Sequence, residues 1–288
     1  MNYCTSIPLT HIPAVRRMIV IGDIHGDWNA LKSALIAAGV TNKHNDWMGA
    51  DTHVIQVGDI IDRKSRTGAG GDEKSERRIL RHLTDLRRKA MLQDGYVHLL
   101  LGNHEIMNVM GDFRYVSPMG MTDFGGDRAR AFKPGGRVAK FMACNMNSVI
   151  QIGNWVFSHA GITEHVSKTY TIDQVNKFVR EYLLGNGILD RDHELMDIFW
   201  HRRYGTPDSC DQVNSSLRYW QAKNMAIGHT VQSAGISSMC NGALWKVDVG
   251  MSGAFHSSSE DRKVIEVLEI LDDGDKVNII RAKSRRGQ

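Results

Sequence analysis

A layered α/β fold, with sheets that pass from parallel to antiparallel and helices outside them, is the architecture this 288-residue chain predicts. Three observations lead there. Short runs rich in Val and Ile recur along the chain, helical patterns separate the early runs, and the chain ends on strand after strand.

The strand runs are 18–22, 53–57, 97–101, 149–152, 155–158, 225–227, 244–249, 264–270 and 276–281. These are short runs rich in apolar residues, as buried strands are. Helices are expected over 28–38, 76–91 and 173–184. In the second, Ile79, Leu83, Leu86 and Ala90 share one face while the arginines mostly take the other, which reads as a solvated basic face. Asp272-Asp273-Gly274-Asp275 is a hairpin turn between the last two strands. Region 111–136, with six glycines and two prolines, reads as a long irregular excursion, and 66–72 as a surface loop. No repeat, low-complexity tract or linker divides the chain. One catalytic domain over 15–285 is expected, with irregular or helical excursions at 106–145 and 164–224.

The composition, 42% hydrophobic and 24% charged, is that of a globular protein. The formal charge of +4 suits an anionic substrate but is no signature of nucleic-acid binding. No apolar run reaches the length of about 18 residues that a membrane span needs. The N-terminus lacks an apolar stretch behind a basic one, so no secretory signal is expected. Cys4, Cys144, Cys210 and Cys240 stand far apart with no Cys-x-x-Cys pair, a pattern expected of free thiols in a reducing, cytoplasmic setting.

Chemistry concentrates where the apolar runs end. Run 18–22 leads into Asp23 and His25, run 53–57 into Asp59, Asp62 and Arg63, and run 97–101 into Asn103 and His104. Run 155–158 leads into His159 and run 225–227 into His229. Ligands of α/β sheets gather beyond the carboxyl ends of strands, so five such ends can build one metal site. Carboxylate, amide and imidazole donors fit manganese, iron or zinc. Taken singly, a Gly-Asp after a strand is a turn or helix cap, and a lone His is a hydrogen-bonded core residue. Five repetitions of the pattern, each at a strand end, favour the metal reading.

These segments resemble the metallophosphoesterases, and within them the phosphoprotein phosphatase superfamily. Its blocks GDxHG, GDxxDR and GNHE stand here as GDIHG (22–26), GDIIDR (58–63) and GNHE (102–105), followed by SHAG (158–161) and GHT (228–230). The stretches MNVMGDFRYVSP (107–118), FKPGG (132–136) and DIFWHRRY (197–204) are similar to the Shewanella-like phosphatases. The resemblance implies a calcineurin-like fold of two mixed β-sheets in a sandwich flanked by helices. It implies two metal ions: Asp23 and His25 on one, Asp59 bridging, and Asn103, His159 and His229 on the other. His104 becomes the general acid, oriented by Asp62, while Arg63 and Arg202 grip the phosphate, with Arg203 a rival to Arg202. Asp27 and Lys64 replace the Gln and Gly usual in eukaryotic members, and HAG replaces HGG, without removing a ligand.

The function so implied is hydrolysis of a phosphate monoester by attack of a hydroxide bridging two divalent or trivalent ions, manganese, iron or zinc. The expected substrate is a phosphorylated protein, on Ser/Thr or Tyr, or a small phosphoester. The competing reading is a hydrolase of dinucleoside polyphosphates or RNA caps, for which Phe113, Arg114 and Tyr115 would line a base pocket. A non-catalytic scaffold is disfavoured because all six ligands are intact. His256 reads as a solvated loop residue and the Met107–Met121 run chiefly as core filling, with a substrate groove as the alternative.

Overall fold

The computed structural model describes residues 4–68, 71–206, 209–256 and 264–282. Eleven strands appear among them: β1 His11–Ile12, β2 Arg17–Ile21, β3 His53–Gln56, β4 Tyr96–Leu99, β5 Val149–Ile152, β6 Trp155–Ser158, β7 Asn224–Ile227, β8 Ser237–Met239, β9 Leu244–Lys246, β10 Glu266–Leu271 and β11 Lys276–Arg281. They form two mixed sheets, ordered β11-β10-β2-β3-β4 and β1-β5-β6-β7-β9-β8. The core of each is parallel, β2 with β3 with β4 in one and β6 with β7 with β9 in the other. Antiparallel strands flank them: β10 against β2 and β11, and β5 against β6.

Burial explains why the central strands read as continuous apolar runs. Met18, Ile19, Val20 and Ile21 are all fully buried, so both faces of β2 are covered and no alternation survives. One contiguous core draws side chains from both sheets, Val54 and Val97 from one, Val156 and Ala226 from the other.

The helices follow their local chemistry. Helix Trp28–Ala37 begins where Asp27 accepts from the Ala30 amide at 2.9 Å. Helix Glu76–Met91 buries Ile79, Leu83, Leu86 and Ala90 and leaves Arg77, Arg81 and Arg88 outside. Each large apolar side chain so buried contributes about 1.5–3 kcal/mol. Helix Ile172–Leu184 carries a Thr171–Gln174 capping box and stops at Gly185, whose φ of 83° suits a residue without Cβ. Asp272 and Asp273 turn left-handed between β10 and β11, as the hairpin reading expected.

Several expectations are corrected. Region 111–136 holds two short helices, Pro118–Asp123 and Arg128–Phe132, capped by Ser117 and Asp127. Its glycines punctuate helices instead of forming one loop. The run 244–249 stops pairing at Lys246. The four cysteines are not free: Cys4 pairs with Cys144 and Cys210 with Cys240, each with Cα atoms 5.2 Å apart. Sequence separations of 140 and 30 hid this, because the fold and not the spacing brings the thiols together. The thiol argument for a reducing compartment falls with it. No helix among the described residues is long and apolar enough to cross a membrane. Residues 69 and 70 of the Gly-rich loop, and residues 207–208, 257–263 and 283–285 of the expected span 15–285, lie outside the described residues.

Candidate active site

Because β2, β3 and β4 run parallel, their carboxyl ends share one edge, and β6 and β7 present theirs from the other sheet. The turns after these strands are stitched together by hydrogen bonds from backbone amides. The His25 amide donates to Asp59 O at 2.9 Å, Gly228 N to His159 O at 2.8 Å, and His229 N to the Asp23 carboxylate at 3.2 Å. His25, Asp59, Asp62 and His229 all hold positive φ, between 41° and 73°. Left-handed backbone costs a non-glycine residue about 1–2 kcal/mol, and here it turns each side chain off its strand into a common space. Gly102 and Gly228 permit close packing: a Cβ at either would collide with the carboxylate of Asp59 or Asp23.

All six expected ligands converge. Asn103 Oδ1 lies 2.9 Å from both His159 Nε2 and His229 Nδ1, which are 3.2 Å apart. Asp59 Oδ2 is 3.4 Å from His159 Nε2 and 3.6 Å from His25 Nε2. Asp23 Oδ2 is 3.9 Å from His25 Nε2. Two donor groups result, His25–Asp59–His104 and Asp59–His159–His229, joined at Asp59.

The donor chemistry fits metal ions. His159 Nδ1 bonds Val57 O at 2.9 Å and His25 Nδ1 bonds Ile61 O at 3.2 Å. Each carbonyl selects the Nδ1–H tautomer and leaves an Nε2 lone pair facing inward. The Asp59 carboxylate divides its work, Oδ1 accepting from the His104 amide at 2.9 Å while Oδ2 faces the imidazoles. Burial, then the charges of Asp248 and Asp59, pushes the Asp23 carboxyl well above its usual range, and burial lifts Asp248 to about 6. Burial and the neighbouring His159 pull His229 down to about 3. Crowded carboxylates and imidazoles in one buried space are what bound cations relieve.

Beside this cluster stands an acid pair. His104 Nδ1 meets Asp62 Oδ2 at 2.7 Å, and His104 Nε2 faces Asp59 Oδ2 at 3.8 Å. Burial alone would lower His104, but the Asp59 charge and the Asp62 bond outweigh it and raise the imidazole. Asp62 is held in turn by Asn108 Nδ2 at 2.9 Å and Arg128 Nη2 at 3.1 Å. Arg128 also reaches Glu76 at 2.7 Å, and Glu76 accepts from the Asp62 amide at 2.9 Å. Glu105 accepts four amides, from Gly102, Asp59, Ile60 and Ile61, and so pins the Asp59 turn to the start of helix Asn103–Val109.

Reading the chain left Glu105 and Arg128 without roles. Glu105 had a signal, since Glu at the third position of a helix satisfies its first amides. Arg128 had none, because its partners come from three remote segments.

The cluster floors a cleft of about 660 Å³. Arg202 stands on its wall, its Nη1 3.3 Å from His229 O, and Arg203 does not. Arg63 is not on the wall. It is 4% exposed, its Nη2 lies 3.6 Å from Asp27 and from Glu73, and its Nε and Nη1 are buried without hydrogen-bond partners. Arg66 and Arg114 do line the cleft. Met107 and Met110 line it too, while Met119 and Met121 are exposed. His256 Nε2 is tied to Gly250 O at 3.0 Å and lies off the wall.

Two mixed sheets whose strand ends pool Asp, His and Asn around a shared carboxylate define a metallophosphoesterase. The chain belongs to the calcineurin-like phosphoesterase family, whose profile matches residues 16–233. It is 30% identical to Shewanella-like protein phosphatase 2 of Arabidopsis thaliana over 299 residues, covering 84% of this chain and 73% of that one. It is also 30% identical to Shewanella-like protein phosphatase 1 of Plasmodium berghei, covering 82% and 67%. Among solved structures, the cold-active protein-tyrosine phosphatase of a psychrophilic Shewanella superposes with a TM-score of 0.74 at 21% identity, over 96% of this chain and 83% of that one. The protein is a metal-dependent phosphatase acting on phosphorylated substrates, and its family brings a dinuclear metal site.

Proposed function

We propose that this phosphatase dephosphorylates proteins, with Asp23, His25, Asp59, Asn103, His159 and His229 holding two ions, His104 and Asp62 handling the proton, and Arg202 holding the phosphate. The observation that carries the reading is the His104–Asp62 pair at 2.7 Å beside the shared carboxylate Asp59. A phosphorylated serine or threonine leaves as an alkoxide, which must gain a proton, and such a pair supplies one. Manganese, iron or zinc at this donor set would act as a Lewis acid on phosphate oxygens and acidify a water.

The residues divide the remaining work. Asp62, bonded at Nδ1, sets the imidazole so that Nε2–H points to the leaving oxygen. Its own second oxygen is satisfied by Asn108 and Arg128, so it stays in place through the transfer. Arg202 offers a planar fork matched to two phosphate oxygens. Donors come from both sheets, which supports 15–285 acting as one catalytic unit. The cytoplasmic placement expected of the chain loses its support from free thiols, since all four cysteines are paired.

The test offers the metal-loaded protein phosphoserine, phosphothreonine and phosphotyrosine peptides beside diadenosine tetraphosphate and a capped RNA. We expect kcat/KM to be highest on a phosphopeptide. A clear preference for the dinucleotide or the cap would overturn the protein-phosphatase reading in favour of the nucleotide branch.

A further inference from the structure

The basic face of helix Glu76–Met91 is not uniformly solvated. Arg77, Arg78 and Arg81, in its N-terminal half, line a second pocket of about 490 Å³ that shares no residue with the catalytic cleft. Among the described residues no carboxylate pairs with any of these three, whereas Arg88 on the same helix pairs with Asp85 and Lys89 with Asp46 at 3.2 Å. Helix register groups them. Residues 77 and 81, and 78 and 82, are four apart and lie one turn above each other.

Other segments complete the pocket. Trp28, the first residue of helix Trp28–Ala37, brings an indole to it, and Asn45 comes from the loop that follows. The Arg78 guanidinium carbon lies 3.9 Å from the centre of the Trp28 ring, and the His82 ring packs edge-on against Trp28 at 5.0 Å. The stack holds Arg78 in place before any ligand arrives, which reduces the rotamer entropy lost on binding. His82 also lines the pocket, and its Nε2 is buried without a hydrogen-bond partner. A buried polar atom left unsatisfied calls for an explanation. The two acids on the wall are already engaged, Asp85 with Arg88 and Asp123 with the Arg77 amide at 2.9 Å. Three guanidinium groups and one imidazole nitrogen are left for a ligand.

We propose that this pocket is a second anion site, built for a phosphate monoester dianion. Planar forks from three arginines and an imidazole N–H suit a tetrahedral group with three free oxygens better than the two oxygens of a carboxylate. A nucleic-acid strand fits less well, because Asp85 and Asp123 repel the charges that flank any one bound phosphate. The dianion belongs either to a small phosphorylated solute or to a second phosphorylated residue of a protein substrate. The site stands whichever phosphoester the catalytic cleft hydrolyses.

The experiment titrates inorganic phosphate calorimetrically into metal-loaded wild-type protein, the Arg78→Gln/Arg81→Gln variant and an Arg218→Gln/Lys223→Gln control, which removes two exposed charges elsewhere. Phosphate in the catalytic cleft is measured separately, as competitive inhibition of p-nitrophenyl phosphate hydrolysis. Wild type should show a second phosphate beyond the one at the cleft. The Arg78→Gln/Arg81→Gln variant should weaken that second phosphate at least about tenfold, the loss expected of charge-assisted bonds. Its kcat and KM for p-nitrophenyl phosphate should stay at the wild-type level, and the control should keep both phosphates. A wild-type titration accounted for by the cleft alone overturns the site, and so does an unchanged second phosphate in the Arg78→Gln/Arg81→Gln variant or an equal loss in the control. KM values for a singly and a doubly phosphorylated peptide then assign the source. A lower KM for the doubly phosphorylated peptide that disappears in the Arg78→Gln/Arg81→Gln variant supports the site and gives it to a protein segment. Equal KM values, with the second phosphate present in the titration, support it as a site for a small solute.

Discussion

Replacing Arg128 by methionine should destabilise the protein far more than its place in an inserted segment suggests. Arg128 is 1% exposed and donates to Asn108 Oδ1 at 2.6 Å, Glu76 Oε2 at 2.7 Å, Gly120 O at 2.9 Å and Asp62 Oδ1 at 3.1 Å. Its guanidinium also lies 4.7 Å from the Phe132 ring. Methionine fills much of the volume and removes every donor. Stripping one partner from a buried ion pair costs about 3–5 kcal/mol. The losses at Asn108 and Gly120 overlap with this and are not added. Glu76 has an escape: burial already pushes its carboxyl up while Arg128 is present, so it takes a proton once Arg128 is gone. The loss should therefore lie near the lower limit, about 3 kcal/mol. At about 2–4 °C per kcal/mol for large domains, that is roughly a 10 °C fall in Tm. Urea unfolding of wild type, Arg128→Met, Glu76→Gln and the double variant measures it. The double variant should be more stable than the sum of the singles by at least about 1 kcal/mol, because Glu76→Gln removes the charge that Arg128→Met strands. A loss below about 1 kcal/mol, or strict additivity, would refute the argument.

Other outcomes follow from the same geometry. His104→Asn should lower kcat about 10²–10⁴-fold on alkyl phosphates, and much less on p-nitrophenyl phosphate, whose leaving group hardly needs a proton. Equal losses on both would count against the proton-donor role. Asp59→Asn removes the carboxylate common to both donor groups and should lower metal content together with activity. A metal-replete, active variant would contradict it. His82 is held at about 4, chiefly by burial and against the pull of Asp85, below its ordinary 6.5. The unfolded chain takes the proton first, so this contribution to stability is complete above about pH 6.5 and is lost as pH falls towards 4. Wild-type Tm should thus drop relative to His82→Leu over that window, and parallel curves would show that His82 contributes nothing. Finally, the Cys210–Cys240 link, with its sequence separation of 30, should contribute about 3.5 kcal/mol by chain entropy. Reduction should lower Tm by several degrees, and an unchanged melt would rule the link out.

Much of the fold could be read before any coordinates. Strands 149–152, 155–158 and 276–281 and helix 76–91 have the bounds expected of them. Their signals are local: apolar period, caps and turn residues act within a few positions. The convergence of Asp23, His25, Asp59, Asn103, His159 and His229 was legible for a related reason. Each follows a strand directly, and parallel strands bring their carboxyl ends to one edge whatever the rest of the chain does.

What lay beyond the sequence shares one property, dependence on pairs far apart in the chain. Cys4 and Cys144 are 140 residues apart, and no local pattern distinguishes two joined thiols from two free ones. Arg128 meets Asp62 across 66 positions, so only packing reveals that the excursion after His104 locks the acid pair. Arg63 and Arg66 show the limit most sharply. The motif contains an arginine at 63, but side-chain direction is set by which carboxylates and rings lie nearby, and Asp27, Glu73, Tyr115 and Phe255 come from four different segments. The sequence by itself determined which donors meet, through strand order and turn chemistry. The tertiary structure decided which arginine faces the cleft and which cysteines join, because those depend on distances that spacing along the chain does not encode.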